Sequence, residues 1–299
     1  MTAERYLLTG GTGFIGRALL QRLLDDGREV LALYGSRTPD LRHPKLEWRR
    51  FDLLRADEED MRLTLAGEAL THCLHAAWYT NHADYLVHEV NREWVSASLR
   101  LRDAFEKAGG RRFVGLGTCI EYDAGAAKGP CREDVTPLGP DTLYGQCKEA
   151  LFHALEARGG DFAWARIFFV YGPGDRAGRL VPHILSAFAR GEEAGPKTGG
   201  LKRDYIHVED LARQLARIAA GSVRGAINTG TGAAVSISEM FETAASLYGR
   251  PELALSNTET GVGQPLLIEA DLAKFRAEVG PPEARSLRDG MAGLVGAPA

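Results

Sequence analysis

Short apolar runs alternate with stretches of helical spacing from the first residues to about residue 170. Residues 6–9 form an apolar run that ends at glycines. From residue 14 to 24, Ile15, Leu19, Leu20, Leu23 and Leu24 fall on one face of a helix that Gly27 ends. Residues 30–33 and 71–77 are further strand-like runs. Residues 89–108 read as a long helix closed by Gly109-Gly110, residues 112–117 as a strand, 142–158 as a helix and 162–168 as a strand. This alternation predicts an α/β fold, a doubly wound parallel sheet with helices on both faces. The run Val30-Leu31-Ala32-Leu33 agrees, because a strand covered on both sides is apolar throughout, whereas a half-exposed strand alternates. After Tyr171-Gly172-Pro173-Gly174 the pattern loosens and glycine and proline become frequent. The organisation expected is a domain over residues 1–170 and a smaller C-terminal lobe over 171–299. The chain should return to the sheet near residues 204–232, where Ala226-Ile227-Asn228 reads as a strand.

Composition narrows the classes without choosing among them. With 299 residues, 44% hydrophobic and 25% charged, the chain is long enough for one large or two joined cores. A net charge of −4 provides no basic field, so no nucleic-acid partner is expected. No stretch approaches the roughly 20 apolar residues of a membrane span, and residues 1–6 lack the apolar core of a signal peptide. Cys73, Cys119, Cys131 and Cys147 have no paired spacing, which predicts reduced thiols, no metal site and a cytoplasmic setting.

Between the first strand and first helix stands Thr9-Gly10-Gly11-Thr12-Gly13-Phe14-Ile15-Gly16. Gly10, Gly13 and Gly16 satisfy a G-x-x-G-x-x-G pattern, and Gly11, Gly13 and Gly16 the G-x-G-x-x-G variant. Either one predicts a dinucleotide site, because a pyrophosphate must approach bare backbone at a helix N-terminus. A carboxylate about 20 residues onward would hold the ribose hydroxyls of NAD. That place reads Tyr34-Gly35-Ser36-Arg37. Ser36 and Arg37 suit a 2′-phosphate, so NADP is the expected cofactor with NAD as the alternative. The plain alternative for Arg37 is a solvated loop residue.

Tyr144 and Lys148 lie four residues apart, one turn on the same helix face. Free tyrosine has a pKa near 10, and a neighbouring ammonium that lowered it by about 3 units would supply roughly 4 kcal/mol. Such a tyrosine exchanges the proton of a carbinol while nicotinamide exchanges the hydride. Thr118 ends the strand over residues 112–117, where parallel sheets bind ligands, and can hold the reacting oxygen beside Tyr144.

With these residues in place, the chain resembles the extended short-chain dehydrogenases/reductases, the NAD-dependent epimerase/dehydratase family that acts on nucleotide sugars. The matching segments are residues 9–16, His75-Ala76-Ala77, Thr118 with Tyr122, residues 144–148, Arg166 to Pro173, and Arg203 to Asp210. They occur in the family's order. The resemblance implies a Rossmann-type fold, a C-terminal substrate lobe and a dimer formed through paired long helices. It further implies that Gly10, Gly13, Phe14, Ile15, Gly16, Asp52, Leu53, Ala76, Ala77, Tyr144 and Lys148 hold the cofactor, with Asp52 at the adenine edge. Arg203 would hold the sugar-nucleotide pyrophosphate, against the plain alternative of a surface ion pair between Arg203 and Asp204.

Departures from the family narrow the reaction. Cys119 and Ile120 follow Thr118 where dehydratases of the family carry an acid pair. Cys119 reads as a small buried residue or a substrate contact, and Glu121 as a substrate contact or a local partner. Trp78 is expected to wall the sugar pocket or lie in the core. Phe169 and Arg179 are further substrate candidates, whereas His183 and His207 read as structural. A hydride carrier with Tyr144, Lys148 and Thr118, and no second acid or base, suits a reductase of an NDP-4-keto-6-deoxyhexose. A 4-epimerase with tightly held NAD, a reductase of another carbonyl, and a non-catalytic NADP sensor are the alternatives.

Overall fold

The computed structural model describes residues 4–296, so the first three residues of the N-terminal segment considered above lie outside the described residues. In chain order, β1 (Arg5–Thr9), α1 (Phe14–Asp25), β2 (Glu29–Tyr34), β3 (Leu46–Arg50), α2 (Glu58–Leu65), β4 (His72–His75), α3 (Val90–Lys107), β5 (Arg112–Thr118), α4 (Leu143–Arg158) and β6 (Asp161–Ile167) alternate strand and helix. β7 (Phe169–Tyr171), α5 (Leu180–Ala189), β8 (Lys202–Arg203), β9 (Tyr205–His207), α6 (Val208–Ala220), β10 (Gly225–Thr229), β11 (Val235–Ser236) and α7 (Ile237–Leu247) follow. Strands line up as β10-β6-β5-β4-β1-β2-β3 in one seven-stranded parallel sheet. The order reverses between β1 and β4, where sheets of this kind receive ligands at the carboxyl ends of the strands.

The expected strands and helices are all present, with small changes at their ends. Two elements in this half were not expected, β3 at the sheet edge and helix α2. β3 carries Glu47 and Arg49, which pair with Arg5 and Glu68 across the surface, so its sequence lacks an apolar run. α2 is polar and starts from a capping box, in which Asp57 accepts from the Asp60 amide and Asp60 answers to the Asp57 amide.

The chain forms two compact units. One comprises Met1–Tyr122, Leu138–Arg166 and Ala212–Ile227, the other Asp123–Pro137, Ile167–Leu211 and Asn228–Ala299. Residues 123–137 thus go with the second unit, and the return to the first covers a shorter stretch than residues 204–232. The first unit's core includes Leu7, Leu31, Leu101, Phe105 and Leu151. The second has its own core, around Tyr171, Ile184, Phe188, Met240 and Phe241. Among the described residues, no helix is long and apolar enough to cross a membrane. No group of three or more His, Cys, Asp or Glu among them is arranged to hold a metal ion. The four cysteines form no disulfide among the described residues, and all four are buried.

Candidate active site

The glycine loop has the shape a pyrophosphate needs. Gly10 adopts φ +72°, and a Cβ there would lie 2.6 Å from the Ala77 nitrogen and 2.7 Å from the Ala76 carbonyl carbon. A Cβ on Gly16 would run into the Gly10 carbonyl, so helix α1 starts tight against the turn only because both are glycine. Gly13 is the N-cap of α1 and supplies no side-chain acceptor to the amides of the first turn. Phe14 and Ile15 open that turn. Bare amides at a helix N-terminus beside a glycine cradle fit a dinucleotide phosphate.

Beside the loop, Gly11, Thr12, Arg17, Arg37, Asp40 and Trp48 line a cleft. Ser36 and Arg37 are both exposed there after β2. Asp40 pairs with Arg17 at 2.9 Å through both oxygens, and the Arg17 hydrogen bond holds its carboxyl below the usual range. Asp52 is exposed and accepts from the Leu54 amide at 3.1 Å, whereas Leu53 is buried.

A relay of hydrogen bonds fixes the end of β4. The Thr9 oxygen accepts from the Ala77 amide (3.1 Å) and its hydroxyl meets His75 Nδ1 (2.8 Å). His75 Nε2 meets the Ser98 oxygen (2.7 Å), and the Ser98 hydroxyl donates to the Trp94 carbonyl (2.7 Å). Only one assignment satisfies every group: Nδ1 accepts from Thr9 and Nε2–H donates to Ser98, so the ring is neutral. Burial, aided by the Lys148 charge, takes its pKa down to about 3. His75 therefore places Ala76 and Ala77 and performs no acid–base chemistry.

Thr118 closes β5, its hydroxyl accepts from the Ile120 amide at 3.3 Å, and its side chain also acts on the Tyr144 phenol. α4 brings Tyr144 there. Thr142 caps the helix by accepting from the Gly145 amide, and the Tyr144 amide donates to the Leu86 carbonyl at 3.0 Å. The half-buried phenol packs edge-on against Tyr85 (5.2 Å between ring centres) and Trp78 (6.4 Å).

Lys148 differs from the expectation. Its side chain is 4% exposed. Its Nζ donates to the Leu116 carbonyl (2.7 Å) and sits 3.7 Å from the centre of the Trp78 ring, against 5.8 Å from that of Tyr144. Here the amine does not lower the phenol: burial pushes Tyr144 above its usual range, with Tyr85 and Glu121 adding to the effect and the Thr118 side chain opposing it. Burial also brings Lys148 down to about 7, although Glu121 opposes the change. Desolvation of both groups outweighs their mutual influence. Trp78 is held in turn, its indole N–H donating to Asn91 Oδ1 (2.7 Å) and its ring stacking on Trp94.

Glu121 was a candidate for substrate contact, and the structure pairs it locally instead. It is fully buried, and its carboxylate accepts from the Thr118 amide (2.8 Å), Trp164 Nε1 (3.0 Å) and Arg166 Nε (2.8 Å). Cys119 is 5% exposed and reads as a packed thiol.

In the second unit, the Phe169 ring lies 5.3 Å from that of Tyr205. Arg179 is paired with Asp175 at 3.3 Å. Arg203 is nearly buried, and its Nη1 donates to the Lys202 carbonyl (2.8 Å) and the Leu266 carbonyl (3.3 Å). Its neighbour Asp204 is fully buried under the amides of Thr231, Gly232 and Ala270 and the Thr231 hydroxyl, so the pair is not a solvated surface contact. His183 is exposed, and His207 is buried edge-on to Tyr171.

A glycine cradle, a uniquely satisfied histidine and a Thr–Tyr–Lys cluster at the ends of β1, β4 and β5 define a nicotinamide-dependent enzyme of the short-chain dehydrogenase/reductase superfamily. The chain belongs to the NAD dependent epimerase/dehydratase family, whose model matches residues 6–230. A dTDP-6-deoxy-L-talose 4-dehydrogenase (NAD(P)(+)) of Kitasatospora kifunensis is 30% identical over 302 residues, 95% of this chain and 92% of that protein. A dTDP-4-dehydro-6-deoxy-D-allose reductase of a Streptomyces species is 28% identical over 293 residues, 89% of each. The solved structure of MoeE5 in complex with UDP-glucuronic acid and NAD is 31% identical, covers 96% of both chains and has a TM-score of 0.77. Relatives at this distance include nucleotide-sugar reductases, epimerases and decarboxylases.

Proposed function

We propose that this enzyme reduces the ketone of a nucleotide-linked 4-keto-6-deoxyhexose with NADPH, Tyr144 acting as the acid. The observation that carries this reading is the placement of the two hydroxyl residues: Thr118 ends β5, Tyr144 sits in the first turn of α4, and the Thr118 side chain acts on the phenol. A protonated phenol suits reduction, in which the carbonyl oxygen must receive a proton. When bound, the nicotinamide supplies the hydride to the carbon. Thr118 and Tyr144 hold the carbonyl oxygen between two hydroxyls, and Tyr144 gives it the proton. Lys148 stands one turn further along α4, its amine bonded to the Leu116 carbonyl and 3.7 Å from the centre of the Trp78 ring, where it holds the floor of the site.

Dehydration or epimerisation beside the ketone needs a further acid or base near Thr118. The first carboxylate after it is Glu121, buried with its oxygens occupied, and Cys119 and Ile120 bring none. Two relatives named for 4-keto or 4-hydroxy chemistry on dTDP-deoxyhexoses agree with the substrate class. NADP is favoured because Arg37 lines the cleft beside the loop, and no acid ends β2. Arg203 and Phe169 are assigned to the sugar nucleotide, and a homodimer through α3 and α4 belongs to the same proposal.

The test is NADPH consumption with a panel of NDP-4-keto-6-deoxyhexoses. Stoichiometric oxidation with appearance of the deoxyhexose is expected, and no oxidation with any of them overturns the proposal. The second reading, a 4-epimerase, rests on the same Thr–Tyr–Lys set. Nicotinamide that co-purifies with the protein, together with interconversion of two NDP-hexoses without net oxidation, would establish it instead.

A further inference from the structure

We infer that Glu121 is a positioning residue of this site, its buried carboxylate fixing the Thr118 backbone on one side and, on the other, the Trp164 ring that stands over Lys148. This rests on Thr118, Tyr144 and Lys148 as the reacting set. Two glycines make the arrangement possible. Gly115 and Gly117 lie two apart on β5 and so share a face. A Cβ on Gly115 would stand 2.5 Å from the Trp164 ring, and one on Gly117 would meet both the Trp164 indole nitrogen and, at 2.7 Å, Glu121 Oε1. Their missing side chains let Trp164 lie flat on the strand with its N–H reaching Glu121 (3.0 Å).

From there the carboxylate works in two directions. Towards the strand end it accepts from the Thr118 amide (2.8 Å), which fixes where β5 delivers the Thr118 side chain. Towards the helix, the Trp164 ring that it anchors stands 5.7 Å from Lys148 Nζ, and Trp78 closes the other side at 3.7 Å. Arg166 completes the layer, donating to Glu121 (2.8 Å) and to the Tyr122 hydroxyl (3.1 Å).

The groups acting on this pair come from several elements. They are His75 on β4, Tyr85 before α3, Cys119 and Glu121 after β5, and beyond Glu121 its partner Arg166 on β6. His75 is neutral, so Glu121 is the anion that raises both Lys148 and Tyr144. Reduction needs both protonated. Removing the Glu121 charge lets both lose their protons at lower pH, and the two effects move activity the same way.

The experiment compares Glu121→Gln, Glu121→Asp and the double variant Glu121→Gln/Arg166→Met, which removes both charges should Gln alone fail to fold. Two readouts are taken: the pH profile of kcat/KM, and the titration of Lys148 in cofactor-free protein by NMR of ¹³Cε-labelled lysine. The Gln variant is expected to move the alkaline limb and the Lys148 midpoint down by about one pH unit, roughly tenfold in kcat/KM above the limb, and the double variant to move them the same way by less, because the Arg166 charge goes as well. Asp keeps the charge and is expected to keep the limb, while kcat falls because the shorter side chain loses the Thr118 amide. An unmoved limb and midpoint in the Gln or double variant, with only lost stability, overturns the inference. An Asp variant that shifts as far as Gln also overturns it. The NMR midpoint requires no turnover, so failure of the proposed reaction is separable from failure of this assignment.

Discussion

Replacing His75 by glutamine removes the one buried histidine whose neutral state the hydrogen bonds dictate. In the folded protein its Nδ1 is taken by the Thr9 hydroxyl and its Nε2–H by Ser98, and burial brings its pKa down to about 3 from 6.5. Between these values the unfolded chain binds a proton that the folded chain refuses. Stability therefore falls as pH drops below 6.5 and keeps falling towards 3. The slope is about 1.4 kcal/mol per pH unit, so roughly 2 kcal/mol is lost on going from the unfolded pKa to a pH about 1.5 units lower. Glutamine does not titrate. It costs stability at neutral pH, on the order of 1–3 kcal/mol for imperfectly replaced hydrogen bonds, but it removes this slope. Urea unfolding of both proteins across that range measures the difference at each pH. The gap is expected to narrow by about 2 kcal/mol as pH falls. A gap that stays constant would refute the neutral, relay-bound histidine.

Further outcomes follow from single contacts. Arg37→Ala is expected to weaken NADPH by about 10-fold or more, the worth of a charge-assisted hydrogen bond, with little change for NADH; equal effects in binding titrations would remove the case for NADP. Gly16→Ala drives a methyl into the Gly10 carbonyl, so cofactor affinity measured by fluorescence should fall at least about tenfold, and undiminished binding would contradict the cradle. Arg112 is buried and donates to the Ile218 and Val223 carbonyls and to Asp161. Its replacement by methionine takes this donor from both carbonyls, while Asp161 keeps Arg224 at 3.6 Å, and should cost about 3 kcal/mol in denaturant unfolding; a loss near zero would show that the segment tolerates their exposure.

Much of this was legible because backbone requirements write themselves into residue type. Gly10 and Gly16 are readable since no other residue fits under Ala76 or against the first turn, and doubly covered strands such as 30–33 must be apolar throughout. The spacing of Tyr144 and Lys148 gave their shared helix face, but not what each meets. Whether an amine faces a phenol, a carbonyl or an indole depends on Leu116 and Trp78, which lie far from it in sequence. Glu121 was ambiguous for the same reason. Its donors Trp164 and Arg166 come from β6, and its burial from glycines on β5. A signal did exist in the alternation Gly115-Leu116-Gly117, which marks a strand face opened for a large ring. β3 and α2 escaped notice because their stability lies in ion pairs and a cap rather than in an apolar pattern.

The central claim is that the Tyr144 phenol delivers the proton. Tyr144→Phe keeps the ring between Trp78 and Tyr85 and removes only the hydroxyl. Turnover of a 4-keto sugar nucleotide should fall at least about 10³-fold, within the range of general-acid catalysis, while NADPH binding measured on the same protein stays within about twofold. A variant that reduces the sugar at close to the unmodified rate would contradict the account.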